Sequence, residues 1–367
     1  MKLYKLSKVF VNKIFSKIRF FLYSKLRLPI DKPEAVYLNI SNKCNFHCQM
    51  CDQWKQGQIE DPQTYLTIPQ IKNLIDQLSK WGIKNFGISG GETMIFKTKV
   101  LELLNYANKK GMYSHFVTNG FLLDAHIIKE YDQMGGGHIS LSLDAASELH
   151  DELRGKPGAY SGVKRAIKTF KDADPKNILL KINLVISDKN LDEIIKVVEL
   201  CDKDHLSIFM QPYDPYNWND RKTLSLEQYR KKYPLWISTK NQEKLSQIIK
   251  KLLKIKKRKP SLILNSTNHL KAIPPYFNLT LNRTYCSFGS RALSIAPNGD
   301  IILCRYGKMA NIKDRPVHQT WKEQKFKRAR KLASRCNYDC LLGCMYDPST
   351  FSWIRSGLHL VLREVKK

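Results

Sequence analysis

Short apolar runs alternate with amphipathic stretches from residue 35 to about residue 211 of the chain. Six of the runs are rich in β-branched and aromatic residues and have the length of strands: 35–41, 83–89, 113–118, 138–143, 178–186 and 206–211. The stretches between them show the spacing of three to four residues that is typical of helices. The alternation predicts an α/β fold in which parallel strands are joined by helices, either an open sheet or a partial (βα)6 barrel.

Helical features stand out in two of these connecting stretches. Thr67 can cap a helix that has Pro69 in its first turn. Ile194, Val197 and Cys201 recur on one helical face, so we expect Cys201 to be a buried core residue. Because ligands bind at the carboxyl ends of strands in open α/β sheets and in barrels, functional residues should follow each strand directly.

The chain has 367 residues, enough for one large domain with an appendage or for two domains. After residue 211 Lys-rich helices follow up to about residue 259, and a compact cysteine-bearing region begins at about residue 275. We therefore expect an N-terminal helix (1–30), an α/β core (31–215), a Lys-rich helical connection (216–275) and a small C-terminal cysteine-rich domain (276–367).

The charge balance favours polyanionic partners such as nucleic acid or acidic lipid, because 62 Lys and Arg residues stand against 33 Asp and Glu, a formal net charge of +29. Residues 1–30 hold eight Lys or Arg residues and no acidic residue. Their apolar runs are too short to span a bilayer. Two interpretations stay open: peripheral membrane contact through residues 1–28, or a helix that packs on the protein itself. The basic stretch 250–259 is interpreted as a solvated helix end.

The nine cysteines form two groups, apart from Cys201. Such grouping in a long chain indicates metal binding more than disulfides. The sequence shows no cleavable secretory signal, so we expect a cytoplasmic location, with the inner face of the membrane as a variant of it.

The first group follows the first predicted strand in the stretch "CNFHCQMC", which contains Cys44, Cys48 and Cys51. Thiolate-rich sites select zinc or iron–sulfur clusters. Structural zinc normally has four protein ligands, whereas three thiols on a cluster of four irons leave one iron open for a reactant. The absence of a fourth thiol therefore favours a reactive 4Fe-4S cluster.

This stretch resembles the CxxxCxxC signature of radical S-adenosylmethionine (SAM) enzymes. The resemblance implies that the open iron binds SAM through its amino and carboxylate groups. It also implies reductive cleavage of SAM to a 5′-deoxyadenosyl radical, which abstracts a hydrogen from the substrate.

Residues after the later strands extend the resemblance over roughly residues 35–211. "SGGETM" resembles the family's GGE motif, which implies that Gly90, Gly91 and Glu92 receive the amino group of SAM. Ser142 and Asp144 match positions that bind the ribose hydroxyls. Arg154 is suited to a carboxylate because its guanidinium can bind in two places.

Two further features leave alternatives open. Asn183 is a polar residue on a buried strand, so it contacts a ligand or makes an internal hydrogen bond. The "TNG" sequence at 118–120 is an ordinary turn or a ligand contact.

The second cysteine group surrounds an apolar hairpin, whose turn "PNGD" separates Cys286 from Cys304. Cys336, Cys340 and Cys344 follow. The arrangement resembles the SPASM or twitch auxiliary-cluster module of radical SAM enzymes. Five cysteines are too few for two four-cysteine clusters, so one auxiliary 4Fe-4S cluster is expected. Which of the last three cysteines is spare stays open, and structural zinc is the alternative.

These features predict a radical SAM enzyme of the oxidoreductase or maturase type, with a C-terminal auxiliary-cluster domain. The resemblance implies a peptide, protein or sugar substrate and an electron donor such as a flavodoxin or ferredoxin, and nucleic acid is not a favoured partner. No residue indicates a substrate acid or base. The alternative is a non-catalytic, basic zinc-binding module that attaches to nucleic acid or membrane.

Overall fold

The computed structural model describes residues 32–217, 219–281, 286, 291–336, 338 and 340–341. The strands within these residues are β1 (Ala35–Asn39), β2 (Asn85–Ser89), β3 (Tyr113–Thr118), β4 (Gly137–Ser142), β5 (Ile178–Ile186), β6 (Ser207–Pro212), β7 (Ala292–Ile295), β8 (Asp300–Ile302) and β9 (Lys308–Asn311). They form one sheet in the order β6-β5-β4-β3-β2-β1-β7-β8-β9. Strands β1 to β6 are parallel and adjacent in chain order, so the predicted α/β fold is confirmed.

The α-helices of the same residues are α1 (Gln53–Ile59), α2 (Ile68–Lys80), α3 (Lys97–Lys109), α4 (Ala125–Gln133), α5 (Leu149–Arg154), α6 (Ala159–Ala173), α7 (Ile194–Lys203), α8 (Asp220–Thr223), α9 (Leu226–Lys232), α10 (Gln242–Arg258), α11 (Thr267–Phe277), α12 (Val317–Lys322) and α13 (Gln324–Ser334). Helix α2 begins as predicted, because Thr67 and Gln70 form a capping box and Pro69 lies in the first turn.

The two faces of the sheet differ in polarity. In β5 the apolar residues Ile182 and Leu184 are buried, whereas Lys181 and Asn183, which alternate with them, are half-exposed. In β1, Val36 and Leu38 are buried and Tyr37 is half-buried. This alternation leaves one face for the hydrophobic core and the other for polar side chains.

The C-terminal hairpin continues the main sheet. β7 pairs in parallel with β1, with Ala292 opposite Ala35, and β8 and β9 follow as antiparallel strands. The predicted turn lies between β7 and β8, where Gly299 adopts a left-handed φ of 93°. The hairpin joins the core sheet because it pairs with the edge of β1 that β2 leaves open.

Cys201 is buried in α7, as predicted, and burial raises the pKa of its thiol to about 12. The basic stretch 250–259 includes the end of α10, where most lysines are exposed. Lys256 differs, because it is buried and its Nζ donates to the Ile263 carbonyl at 2.8 Å. The predicted helix 1–30 lies outside the described residues, and in those that are described no helix is long and apolar enough to cross a membrane.

Candidate functional site

The loop that carries Cys44, Cys48 and Cys51 is held against the core by several contacts. Its buried residue Phe46 packs with Cys48 and Ala159. The amide of Gln49 donates to the Leu153 carbonyl of α5 at 2.9 Å. Trp54 Nε1 donates to the Cys48 carbonyl at 3.3 Å. The three thiols therefore lie on a fixed loop directly after β1.

Burial opposes ionisation of the thiols of Cys44 and Cys48. Burial raises the pKa of Cys44 to about 11, although a hydrogen bond from the Phe46 amide acts to lower it. Burial also raises the pKa of Cys48, and the neighbouring guanidinium of Arg154 acts to lower it. Thiols in such a place ionise when they gain a positively charged partner, and iron supplies that charge. The donor set therefore fits an iron–sulfur cluster.

Among the described residues, no three His, Cys, Asp or Glu side chains are grouped closely enough to share one metal ion. An iron–sulfur cluster has a different requirement, since each cysteine thiolate binds its own iron.

The glycines of the GGE sequence bring two loops of the protein together. A Cβ on Gly90, whose φ is 131°, would lie 2.3 Å from the Ser41 carbonyl oxygen, and one on Gly91 would lie 2.2 Å from that of Lys43. The amides of Gly91 and Glu92 donate to these same oxygens, at 2.7 and 3.0 Å. The close approach is therefore to the backbone that precedes Cys44, and the predicted contact with SAM stays a prediction.

The carboxylate of Glu92 is buried and accepts three hydrogen bonds from the protein. The donors are the amide of Met94 at 2.9 Å, Thr118 Oγ1 at 2.6 Å and the amide of Asn119 at 2.7 Å. Burial raises the pKa of Glu92, although these bonds oppose the shift. A carboxylate has about four acceptor positions, so about one is left for a ligand.

The TNG sequence connects Glu92 to the cysteine loop. Besides its bond to Glu92, Asn119 donates from Nδ2 to Asn45 Oδ1 at 2.8 Å, and Asn45 lies between Cys44 and Cys48. Sequence reasoning did not detect this bridge, because an Asn-Gly pair after a strand has the same pattern in any turn.

Asp144, predicted to bind ribose hydroxyls, and Arg154, predicted to bind a carboxylate, form a buried ion pair with each other. Arg154 Nε lies 2.7 Å from Asp144 Oδ2, and the side chains are 12% and 0% exposed. Asp144 Oδ1 also accepts from the Val185 amide at 2.8 Å. Arg154 Nη1 lies 4.0 Å from Cys48 Sγ, so the pair is adjacent to the first cysteine group. Their predicted roles toward SAM stay predictions.

Ser142 and Asn183 are neighbours in register on β4 and β5. Both are half-exposed, and the amide of Leu143 donates to the Asn183 carbonyl at 3.0 Å. A hydroxyl at the carboxyl end of β4 and a carboxamide on the adjacent strand β5 thus lie together, where sugar hydroxyls could be hydrogen-bonded.

Two histidines on the same sheet were not singled out from the sequence. The rings of His115 on β3 and His138 on β4 stack with centroids 4.2 Å apart, and Tyr37 meets His115 edge-on at 5.6 Å. A Cβ on Gly87 would lie 2.5 Å from His115 Nε2, so this glycine makes room for the ring. The alternation of β3 and β4 was the available signal, since it places both residues on one face.

In the second cysteine group, Cys286 and Cys336 lie near Cys304. Burial raises the pKa of Cys304 to about 11, and the nearby thiols of Cys286 and Cys336 contribute to the shift. Cys340 is buried, and the adjacent Leu341 carbonyl lies 3.1 Å from His269 Nε2. Cys344 lies outside the described residues, so the choice of fourth ligand stays open.

Comparison with protein families assigns both regions. Residues 38–201 match the family model described as the radical SAM superfamily, and residues 286–345 match SPASM, described as an iron–sulfur cluster-binding domain. The first match includes the three loop cysteines, and the second includes all five cysteines of the second group.

Similar proteins cover different parts of the chain. The AdoMet-dependent heme synthase of Methanosarcina barkeri (strain Fusaro / DSM 804) is 30% identical over 172 residues, 47% of this chain and 48% of that protein. The PqqA peptide cyclase of Bradyrhizobium diazoefficiens is 23% identical over 283 residues, 74% of this chain and 66% of that protein. Streptococcus suis SuiB bound to precursor peptide SuiA has a TM-score of 0.62 and 15% identity, covering 84% of this chain and 71% of that chain.

The chain spans about half the length of the first curated relatives it matches. The likeness to SuiB, at 15% identity, shows a common fold.

Proposed function

We propose that this chain, which belongs to the radical SAM superfamily, cleaves SAM reductively at a cluster held by Cys44, Cys48 and Cys51. The chain also carries a SPASM iron–sulfur domain. The observation that carries the proposal is the set of three thiols on one fixed loop, linked through Asn119 to Glu92. When bound, the cluster supplies an electron to SAM, which yields methionine and a 5′-deoxyadenosyl radical that abstracts a substrate hydrogen.

The residues of the chain would position SAM beside the open iron. The GGE loop lies directly against the backbone that precedes Cys44, so a ligand on that loop is close to the cluster. Ser142 and Asn183 offer hydrogen bonds to ribose hydroxyls. The buried charges of Asp144 and Arg154 fix the end of β4 against the cysteine loop.

The second cysteine group would hold one auxiliary 4Fe-4S cluster. Cys286, Cys304 and Cys336 would supply three thiolates, because Cys286 and Cys336 lie near Cys304. The fourth ligand is Cys340 or Cys344. The Arg305 amide bonds to the Cys304 thiol, and hydrogen bonds to sulfur are one of the factors that set a cluster's potential.

A peptide or a protein is the substrate class that we propose. The relative that matches the largest share of this chain among the curated proteins described above is named a PqqA peptide cyclase, and the SuiB structure contains a precursor peptide. The electron donor, such as a flavodoxin or ferredoxin, and membrane contact through residues 1–28 belong to the same proposal.

Anaerobic reconstitution with iron and sulfide tests the two clusters. The full chain should bind about eight irons, four for each cluster. SAM should change the electron paramagnetic resonance (EPR) spectrum of the reduced protein, because it binds one of the two clusters. The triple variant Cys44→Ala, Cys48→Ala, Cys51→Ala should keep about four irons and lose the SAM-dependent change.

The variant Cys304→Ala is the matched control for that experiment, since it should keep the SAM-dependent change. A wild-type protein that takes up zinc in preference to iron, with no EPR change on addition of SAM, would contradict the proposal.

A further inference from the structure

Helix α13 presents an exposed face on which every charged residue is basic. Residues 324–336 contain no Asp or Glu. The exposed cations of this segment are Lys325, Lys327, Arg328, Lys331 and Arg335. Among the described residues, no carboxylate forms an ion pair with Lys327, Arg328, Lys331 or Arg335. These charges are therefore available to a partner.

The cations share one side of the helix. At about 100° per residue they fall within an arc of roughly 160°, and the buried residues Phe326, Ala329 and Ala333 lie opposite. Leu332, which is 58% exposed, lies within the basic arc. A ring of charge around an apolar side chain is suited to a protein partner, because the charges guide the encounter and the apolar contact adds affinity.

The basic face leads to the second cysteine group. Helix α13 ends at Ser334, and the amide of Cys336 donates to the Ala333 carbonyl at 3.0 Å. At 1.5 Å per residue, Arg328 lies about 12 Å along the helix axis from Cys336. Cys336 and Cys304 are both half-buried, and Arg305 beside Cys304 is exposed. A partner on this face would come close to the thiols.

We propose that the basic face of α13 docks a small acidic protein that carries one electron on a flavin or an iron–sulfur cluster. The proposal rests on the proposed function, because it requires the auxiliary cluster at Cys286, Cys304 and Cys336. One electron leaves the carrier and enters the auxiliary cluster, with no bond formed or broken. Transient redox complexes have small interfaces, and one helix face is adequate for them.

Membrane and nucleic acid are also attracted by positive charge, but the position of the face beside the cluster ligands favours the redox carrier. Helix α10 provides a comparison within the same chain. Its exposed Lys250, Lys251 and Lys254 carry the same charge, yet no cysteine lies near that helix in the sequence. If charge alone were sufficient, both helices would serve equally well.

The test compares two charge-reversal variants of the full, cluster-loaded protein. One carries Lys327→Glu, Arg328→Glu and Lys331→Glu, and the other carries Lys250→Glu, Lys251→Glu and Lys254→Glu. A reduced acidic flavodoxin is mixed with each protein anaerobically. The loss of iron–sulfur absorbance gives the second-order rate constant at low and high ionic strength.

The α13 variant should react at least about tenfold more slowly than wild type at low salt and lose most of its salt dependence. The α10 variant should stay within about twofold of wild type. Iron content and the rate of reduction by dithionite should be equal in all three proteins, which separates lost docking from lost clusters.

Equal rates for wild type and the α13 variant would overturn the proposal, as would equal slowing in both variants. Unchanged reduction together with lost binding of the α13 variant to phosphatidylglycerol vesicles would assign the face to the membrane instead. A wild-type protein that holds no iron would overturn the proposed function, and this proposal with it.

Discussion

Replacing Arg154 by methionine should destabilise the protein far more than a surface mutation does. Asp144 is fully buried, and Arg154 Nε lies 2.7 Å from its Oδ2. Without the guanidinium, the carboxylate keeps the Val185 amide at 2.8 Å as a hydrogen-bond donor but loses its counter-charge. Removing one partner of a buried ion pair typically costs about 3–5 kcal/mol. We therefore expect Arg154→Met to lower the free energy of unfolding of the cluster-free protein by about 3–5 kcal/mol.

The coupling between the two residues is measured by urea unfolding of four proteins. These are wild type, Arg154→Met, Asp144→Asn and the double variant. The double variant should be more stable than the sum of the single losses predicts, by about 2 kcal/mol, because no unpaired charge is left. Additive losses, or a cost below about 1 kcal/mol for Arg154→Met, would refute the reasoning that this pair holds β4 to the cysteine loop.

Three further variants test other parts of the structure. Gly91→Ala should cost about 1–3 kcal/mol in urea unfolding, because its Cβ would lie 2.2 Å from the Lys43 carbonyl oxygen; a stability equal to that of wild type would contradict this. Lys256→Met should stabilise the protein at pH 7. Burial lowers the pKa of Lys256 to about 8, so wild type gains stability as pH rises from about 8 to 10.5. The stability difference between Lys256→Met and wild type should therefore shrink over this range, and a difference that is constant with pH would contradict this. Cys201→Ala should leave the iron content unchanged, since Cys201 is a core residue, whereas a loss of iron would make it a ligand.

The sequence was sufficient to predict the parallel strands, because each is a short apolar run with turn residues on both sides. Strand β5 is the clearest case, with alternating burial over nine residues. The turn at Gly299 was also predictable, since Asn-Gly requires few long-range contacts to form a hairpin. That β7 extends the sheet beside β1 was not predictable, because it depends on an open edge far away in the chain.

The site was predicted as a set of residues, but its internal contacts were not. Asp144 was expected to bind ribose hydroxyls and Arg154 a carboxylate, and the structure pairs them with each other, because two opposite charges that are both buried stabilise each other. The bridge from Glu92 through Asn119 to Asn45 joins three loops. Sequence spacing carries no information on such contacts between strand ends.

The central claim is that Cys44, Cys48 and Cys51 hold a cluster that cleaves SAM. Its most direct test is the formation of 5′-deoxyadenosine under anaerobic, reducing conditions, with the reconstituted full chain compared with Cys48→Ala. Wild type should form 5′-deoxyadenosine from SAM and Cys48→Ala should form none above the protein-free background. Equal yields from the two proteins would contradict the claim.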